Sequence, residues 1–194
     1  MMYDINQYDI LMRNMSTLQK CSEDDSVDDG SCYMTKLSLQ TVNFDGVKSD
    51  YVASLGMSEN QPKSLDALMV ANGKLTFVEF KNGSMKKEKD RVREKALVSL
   101  LILNDIMGCD ISYTRDNVDM ILVYNYEKNP PHQPSKKYVR DTPSRDYLKR
   151  NILAKAGEEY VRFNLGRLQR LYFHRVFTYN VEEFERFVSK KDAE

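Results

Sequence analysis

Residues 64–81 read SLDALMVANGKLTFVEFK and give the clearest structural signal in the chain. Two apolar runs of strand length, Leu65–Val70 and Leu75–Phe80, lie on either side of an Asn72-Gly73 pair. Asn-Gly between two such runs is a strong signal for a β-hairpin, because both central residues of a type I′ turn need positive φ. The sequence therefore predicts a tight hairpin whose register is set by its turn.

This register places three charged side chains on one face of the hairpin. If Ala71 pairs with Lys74, then Asp66 lies opposite Glu79, and the alternation of side chains puts Lys81 on the same face. Facing residues have Cβ atoms about 4.5–5.5 Å apart, and like charges directly opposite are destabilising. Two carboxylates this close need a cation, a shared proton or a compensating base. A divalent metal meets that need, since Mg²⁺ commonly takes one or two carboxylates and keeps several waters.

The residues after the hairpin predict a long helix and a buried strand. Asn82-Gly83 ends the second strand, and Ser84 is placed to cap a helix that runs from about Met85 to Met107. Gly108 follows as a typical C′ residue. Val118–Tyr124 is continuously apolar, as expected for a strand that is covered on both faces.

The remaining segments predict an N-terminal helix and a mostly helical C-terminal extension. Together with the hairpin they indicate an α/β domain with a mixed β-sheet flanked by helices. The expected elements are a helix over 3–19, an acidic loop over 22–31, a strand over 33–44, an ambiguous stretch over 45–63 with a short helix near 50–55, a loop with four prolines over 126–146, helices over 144–156 and 158–170, a strand over 172–178, and a terminal helix opened by Asn180 with Glu183 and ending near Lys190.

A chain of 194 residues is expected to form one domain, here divided into an N-terminal segment over residues 1–32, a core over residues 33–125 and a C-terminal segment over residues 126–194. Cys21, Cys32 and Cys109 are an odd number without CxxC spacing, so we expect free thiols in a reducing compartment. The N-terminus lacks the pattern of a secretory signal, and no apolar run is long enough to span a bilayer. We therefore expect a cytoplasmic protein without a membrane partner.

Charge is zero overall but unevenly distributed. Residues 1–66 contain eleven acids and five bases, so the rest of the chain is basic. Such asymmetry permits an anionic partner on one side of the molecule. Arg170 and Arg175, beside Tyr172 and Phe173, are candidates for contacting nucleic acid.

With only two histidines and no phosphate-binding Gly-rich loop, a multi-histidine metal centre is excluded and nucleotide hydrolysis is disfavoured.

Asp66, the hairpin, Glu79-Phe80-Lys81 and the long helix together resemble the core of the PD-(D/E)XK nuclease superfamily over roughly residues 60–125, about a third of the chain. The resemblance implies a restriction-endonuclease-like α-β-β-β-α-β core that hydrolyses DNA with Mg²⁺ (or Mn²⁺). It also implies a bacterial or phage protein, and it is compatible with a homodimer. It also implies that the metal ligands are Asp66, Glu79 and the carbonyl of Phe80, and that Lys81 orients water or stabilises charge.

The resemblance further expects a basic or amide residue from the following helix, for which Arg91 and Lys95 are both candidates and both possible contacts to DNA. Two features depart from the family pattern. Pro62 lies four residues before the first acid instead of beside it. The first predicted helix also carries no Glu, which many active members use as a further acid.

An alternative is a non-catalytic binding protein that uses the nuclease-like fold as a scaffold, such as an immunity protein that neutralises a bacterial toxin. An acidic segment would then form its docking surface and would speed association with a basic partner. The residues of that segment are Glu23, Asp24, Asp25, Asp28 and Asp29. The sequence leaves the enzyme and the binding protein both open.

Overall fold

The structure, a computed structural model, describes residues 4–24, 32–57, 62–71, 73–130 and 160–191. Within these residues one six-stranded mixed sheet has the strand order β1-β4-β5-β6-β7-β8, and β2 and β3 form a separate pair. The strands are β1 Met15–Thr17, β2 Glu23–Asp24, β3 Cys32–Tyr33, β4 Gln40–Asn43, β5 Ala67–Ala71, β6 Lys74–Lys81, β7 Val118–Tyr124 and β8 Val176–Asn180. The helices are α1 Asp9–Arg13, α2 Leu18–Cys21, α3 Phe44–Ser54, α4 Lys89–Met107, α5 Ile111–Asn117 and α6 Val181–Lys191, with 3-10 turns at Ile5–Gln7 and Leu165–Leu168.

Helices cover both faces of this sheet. One face packs against α3, α4 and α5, and its core is centred on Phe77, which is fully buried. The other face packs against α2 and α6, where Phe184 meets Phe80 with ring centroids 5.6 Å apart. The expected mixed α/β sheet flanked by helices is therefore present.

The hairpin has the predicted register. Ala71 pairs with Lys74 and Leu68 with Phe77, and the ladder ends where Ala67 pairs with Val78. Gly73 has the positive φ of 71° that the turn needs, while its neighbour Asn72 lies outside the described residues. The turn thus fixes which side chains share a face, as the sequence predicts.

The prediction of one N-terminal helix over residues 3–19 is wrong. That stretch forms two short helices separated by β1, whose residues Met15–Thr17 pair with β4 at the edge of the sheet. The strand predicted over residues 33–44 is also interrupted between β3 and β4. In this interval the carbonyls of Leu37 and Leu39 accept hydrogen bonds from the N–H groups of Gln19 and Leu18. Pairing between distant segments overrides the local helical period here.

The first described residues of the acidic segment that was predicted as a loop form a strand. Glu23–Asp24 pairs with Cys32–Tyr33, so the described residues of this segment form a small strand pair. Asp25, Asp28 and Asp29 lie outside the described residues. All three cysteines are free thiols, as expected, and burial raises the pKa of Cys21 to about 11.

After the hairpin, β7 and the left-handed Gly108 at the end of α4 are confirmed (φ 61°). The predicted start of α4 is wrong, because turns occupy the residues after Ser84 and the helix begins only at Lys89. Within the described residues, no single helix is long and apolar enough to cross a membrane. The one helix pair that passes the same test together, α4 with α5, is bent by 108°.

The predicted C-terminal helices have different outcomes. The helix over 144–156 and the Pro-rich loop beyond Pro130 lie outside the described residues. Of the helix predicted over 158–170, the described residues form only a 3-10 turn, because Phe163 and Asn164 adopt positive φ values of 57° and 62° that stop an α-helix. The capping box is confirmed by reciprocal bonds between Asn180 and Glu183 of 2.8 and 2.9 Å.

Candidate metal centre

Asp66 and Glu79 meet at the open end of the hairpin. Asp66 stands one residue before β5, and its backbone carbonyl accepts a hydrogen bond from Phe44 N–H at 3.0 Å, which ties it to the start of α3. Its Oδ2 accepts a hydrogen bond from Phe80 N–H at 2.6 Å, so the carboxylate turns towards β6. Glu79 is fully buried within β6. The structure therefore brings together the two acids that the register pairs.

A lysine from α4 joins these two carboxylates. Lys95 Nζ donates to both oxygens of Glu79, at 2.8 and 3.0 Å, and to Oδ1 of Asp66 at 3.2 Å. Its side chain is 12% exposed, so water screens these contacts little. One cation thus holds a largely buried carboxylate pair, and it is one of the two helix bases that the sequence could not choose between.

The other candidate base, Arg91, lies further out in the same network. Lys81 Nζ is 3.6 Å from Glu79 Oε1 and 3.6 Å from Glu88 Oε2. Arg91 is also 3.6 Å from that oxygen of Glu88. These longer pairs leave Lys81 and Arg91 oriented but more loosely held than Lys95.

The backbone of Phe80 presents a further oxygen donor to the same side. The N–H and C=O of a strand residue point to the same neighbour, and Phe80 N–H points at Asp66. Its carbonyl therefore points to the β5 side of the strand, where Asp66 lies, while its side chain packs in the core on the opposite face of the sheet. With Asp66 and Glu79 this gives three oxygen donors of the kind that hard divalent cations prefer.

Burial controls the charge of this centre. It raises the pKa of Glu79 well above its usual range, and the negative charge of Asp66 raises it further, against Lys95 and Lys81. Burial also raises the pKa of Asp66, although Lys95 and Phe80 N–H oppose it. Burial alone would lower the pKa of Lys95, but the two carboxylates outweigh it and raise that pKa. The folded chain therefore keeps a proton on the carboxylate pair at pH values where the unfolded chain has lost it.

We expect Glu79→Gln to stabilise the protein at neutral and alkaline pH. A raised pKa in the folded state means that stability falls as pH rises above the unfolded pKa of about 4.3. Glutamine removes this loss, so its free energy of unfolding should exceed wild type by about 1 kcal/mol near pH 8, with little difference near pH 4. Urea unfolding across this range measures it. Glu94→Gln, on the exposed side of α4, is the matched control, and a less stable Glu79→Gln near pH 8 would contradict the expected charge state.

The acidic side chains of the described residues do not by themselves complete a metal shell. Within the described ranges of the chain, no three His, Cys, Asp or Glu side chains are close enough together to hold a metal ion. Asp66, Glu79 and the Phe80 carbonyl fit an ion that keeps several waters, as Mg²⁺ does. An ion there would have to take the place of the Lys95 ammonium.

Asp45 is a further acid of this region that the sequence did not single out. Its charge raises the pKa of both Asp66 and Lys95, and its Oδ1 accepts a hydrogen bond from Ser64 Oγ at 2.6 Å. Asp45 lies in the first turn of α3, which Asn43 caps by accepting a hydrogen bond from Gly46 N–H at 3.3 Å. Asn at an N-cap position followed by an acid is the signal that could have placed this helix.

A cavity of about 410 Å³ opens beside the carboxylates. Most of the side chains around it are bases contributed by α3, by the segment before the hairpin, by β6 and by α4. The lining residues are Asp45, Lys48, Pro62, Lys63, Lys81, Arg91 and Lys95. The sequence pointed to three of these bases, whereas Lys48 and Lys63 were missed because they fall in the stretch 45–63 whose structure was ambiguous.

Arg170 and Arg175, also proposed to contact DNA, do not join this site. Arg175 immediately precedes β8, level with Asp119 in β7 and Thr76 in β6, about 16 Å along the strands from Lys81. Arg170 is exposed in the turn before it. The neighbouring Phe173 is fully buried, with its ring centroid 6.5 Å from that of Phe77, so it offers no surface for base stacking.

The acidic residues proposed for partner binding are described only at their first two positions. Glu23 is exposed and accepts a hydrogen bond from Tyr33 Oη at 3.3 Å. Asp24 accepts one from Asn82 Nδ2 at 2.8 Å. Asp24 therefore ties this strand pair to the residue that follows Lys81.

The chain is thus a mixed α/β protein in which a lysine bridges two carboxylates at the open end of a hairpin. Comparisons of the chain with family models, with curated proteins and with solved structures found no match.

Proposed function

We propose that this chain is a Mg²⁺- or Mn²⁺-dependent nuclease that hydrolyses phosphodiester bonds in DNA. The observation that carries the proposal is the pair of carboxylates, Asp66 and Glu79, bridged by one cation at 2.8–3.2 Å. Because a single ammonium reaches both carboxylates, a single metal ion near the same position can reach them too. The basic cavity beside them offers a place for a phosphate group.

The order of the strands supports a restriction-endonuclease-like fold. β4, β5 and β6 are adjacent and antiparallel, and α4 and α5 then lead to β7, which is parallel to β6. This is the order that the PD-(D/E)XK resemblance implies, with α3 inserted between β4 and β5. Asp45 on α3 also supplies an acid on a helix beside the hairpin, whereas many members use a Glu on an earlier helix.

The chain's own groups divide the chemical tasks. Asp66, Glu79 and the Phe80 carbonyl would hold the metal, which when bound polarises a phosphate oxygen and lowers the pKa of a coordinated water. Lys81, held between Glu79 and Glu88, would orient the attacking water or stabilise charge on the phosphate oxygens. Lys95 would leave the carboxylates, because its ammonium occupies the oxygens that bind the ion.

Cleavage of plasmid DNA with Mg²⁺ or Mn²⁺ tests this proposal. Asp66→Asn removes a metal ligand, and Lys81→Met removes the charge beside the phosphate, so each should lower the cleavage rate by at least about 100-fold. Lys36→Met, an exposed lysine on the other side of the sheet, should cleave like wild type. Undiminished cleavage in both site variants would contradict the assignment.

A second candidate is the non-catalytic binding protein, for example a toxin-neutralising immunity protein. The observation that favours it is Lys95, which already neutralises the carboxylate pair without any metal. Calorimetric titration separates the two functions. Binding heat with Mg²⁺ or Mn²⁺ that disappears in Asp66→Asn supports the nuclease, whereas no heat, with or without inorganic phosphate, supports the scaffold.

A further inference from the structure

Lys95 contacts the carboxylate pair and also lines the adjoining cavity. Its Nζ bridges Asp66 and Glu79, and the same side chain lines the adjoining cavity. Lysine carries its charge on a flexible four-carbon chain with rotatable donors. Rotation about the bonds of that chain would move the ammonium from the carboxylates into the cavity.

The cavity is built to receive an anion. Four other bases line it, against one lining acid, Asp45. Lys48 is contributed by α3 and half-buried, whereas Lys63 is exposed and pairs with no acid among the described residues. Glu88 fixes the side of the cavity formed by Lys81 and Arg91. A phosphate group, with its several oxygen acceptors and charge of up to about −2, matches this arrangement of donors.

Metal and anion therefore interact through Lys95. An ion entering the carboxylate pair brings two positive charges and pushes a third into a cavity that is already rich in bases. Without an anion the displaced ammonium meets four other bases against the single lining acid Asp45, and this excess of like charge opposes metal binding. With a phosphate in the cavity the displaced ammonium gains a partner, which favours it.

We propose that the cavity is a phosphate-binding site and that Lys95 moves between it and the carboxylates, so that phosphate and divalent metal bind cooperatively. This inference rests on the proposed metal-dependent function, and it assigns Lys95 as a positioning residue. Because coupling of this kind is reciprocal, each ligand should raise the affinity for the other. The centre would then load its metal mainly when a phosphate group is present.

Binding of inorganic phosphate in the presence of a chelator tests the site alone. Lys48→Gln and Lys63→Gln should each weaken the calorimetric affinity for phosphate at least about fivefold, since each removes a charged donor. Lys36→Gln, on the opposite face of the sheet, should bind phosphate like wild type. Equal affinity in all four proteins would overturn the site. A short oligonucleotide with a 5′-phosphate, compared with the same strand lacking it, distinguishes a strand end from free phosphate as the natural source.

The affinity for Mn²⁺, measured with and without phosphate, tests the coupling. We expect phosphate to tighten Mn²⁺ binding at least about fivefold in wild type and to have little effect in Lys95→Met, which should bind Mn²⁺ tightly without it. Lys95→Gln, which keeps a hydrogen-bond donor, gives the same comparison if the methionine variant is poorly folded. Mn²⁺ binding that phosphate leaves unchanged overturns the coupling while the nuclease proposal stands. Absence of Mn²⁺ binding under every condition overturns both.

Discussion

Lys95→Met is expected to lower the free energy of unfolding by about 3–5 kcal/mol at neutral pH when no divalent metal is present. The reason is that, among the described residues, Lys95 is the closest cation to the Asp66 and Glu79 carboxylates, at 2.8–3.2 Å. Removing it leaves two facing acids in a largely buried position. Urea unfolding in the presence of a chelator measures the loss.

The same variant also tests whether a metal can take the place of the lysine. Mn²⁺ at about one hundred times its dissociation constant should restore about 2.7 kcal/mol, since a ligand that binds only the folded state stabilises it by mass action. The loss should also shrink towards pH 4, where protons neutralise the carboxylates. Lys36→Met should show neither the loss nor the rescue. A Lys95→Met protein as stable as wild type at neutral pH would mean that the carboxylates do not depend on this cation.

Phe77→Ala is expected to cost about 3–5 kcal/mol of unfolding free energy. Phe77 is fully buried, and its ring packs edge-on against Phe44 at 4.8 Å and Phe173 at 6.5 Å. It therefore ties the hairpin to the start of α3 and to the segment before β8. Because Phe77 lies on the same face as Glu79, two residues before it, the cavity left by alanine should loosen the carboxylate pair as well.

Urea unfolding of Phe77→Ala should show a lower midpoint with an unchanged denaturant slope. Val70→Ala, near the turn of the same hairpin, is the control, because Val70 is 37% exposed and should cost no more than about 0.5 kcal/mol. A Phe77→Ala protein that is no less stable than Val70→Ala would show that the hairpin does not anchor this core.

The two functional candidates make opposite uses of one contact. If a metal ion displaces Lys95 from the carboxylates, the chain is a nuclease whose centre binds its metal ion together with phosphate. If the bridge is permanent, the carboxylates and lysine form a structural ion pair and the protein acts by binding. Metal titration of wild type and Lys95→Met decides between them without any knowledge of the natural substrate.

Local chemistry explains what the sequence predicts correctly. The Asn72-Gly73 turn sets the pairing of Leu68 with Phe77, and each pair follows from the turn because the strand repeat is two residues. The Asn180–Glu183 capping box likewise depends only on residues three positions apart. Such features are independent of the rest of the fold.

Features that depend on distant partners are mispredicted. Residues 3–19 carry a helical period, but Met15–Thr17 form a strand because β4 offers them an edge. The start of α4 shifts from Met85 to Lys89, where turns precede the helix and Asn129 Oδ1 accepts a hydrogen bond from Met85 N–H at 2.7 Å. In each case a contact across the chain outweighs local propensity, which is worth only fractions of a kcal/mol per residue.

For the candidate site, the chemistry of the two-residue turn predicts that Asp66 and Glu79 come together, because it favours one register of the hairpin. The sequence could not determine what neutralises them. Only the tertiary structure selects Lys95 over Arg91 and adds Asp45, Lys48 and Lys63 around the cavity. The physical reason is that those groups come from α3, α4 and the segment before the hairpin, and their meeting point is set by the packing of helices on the sheet.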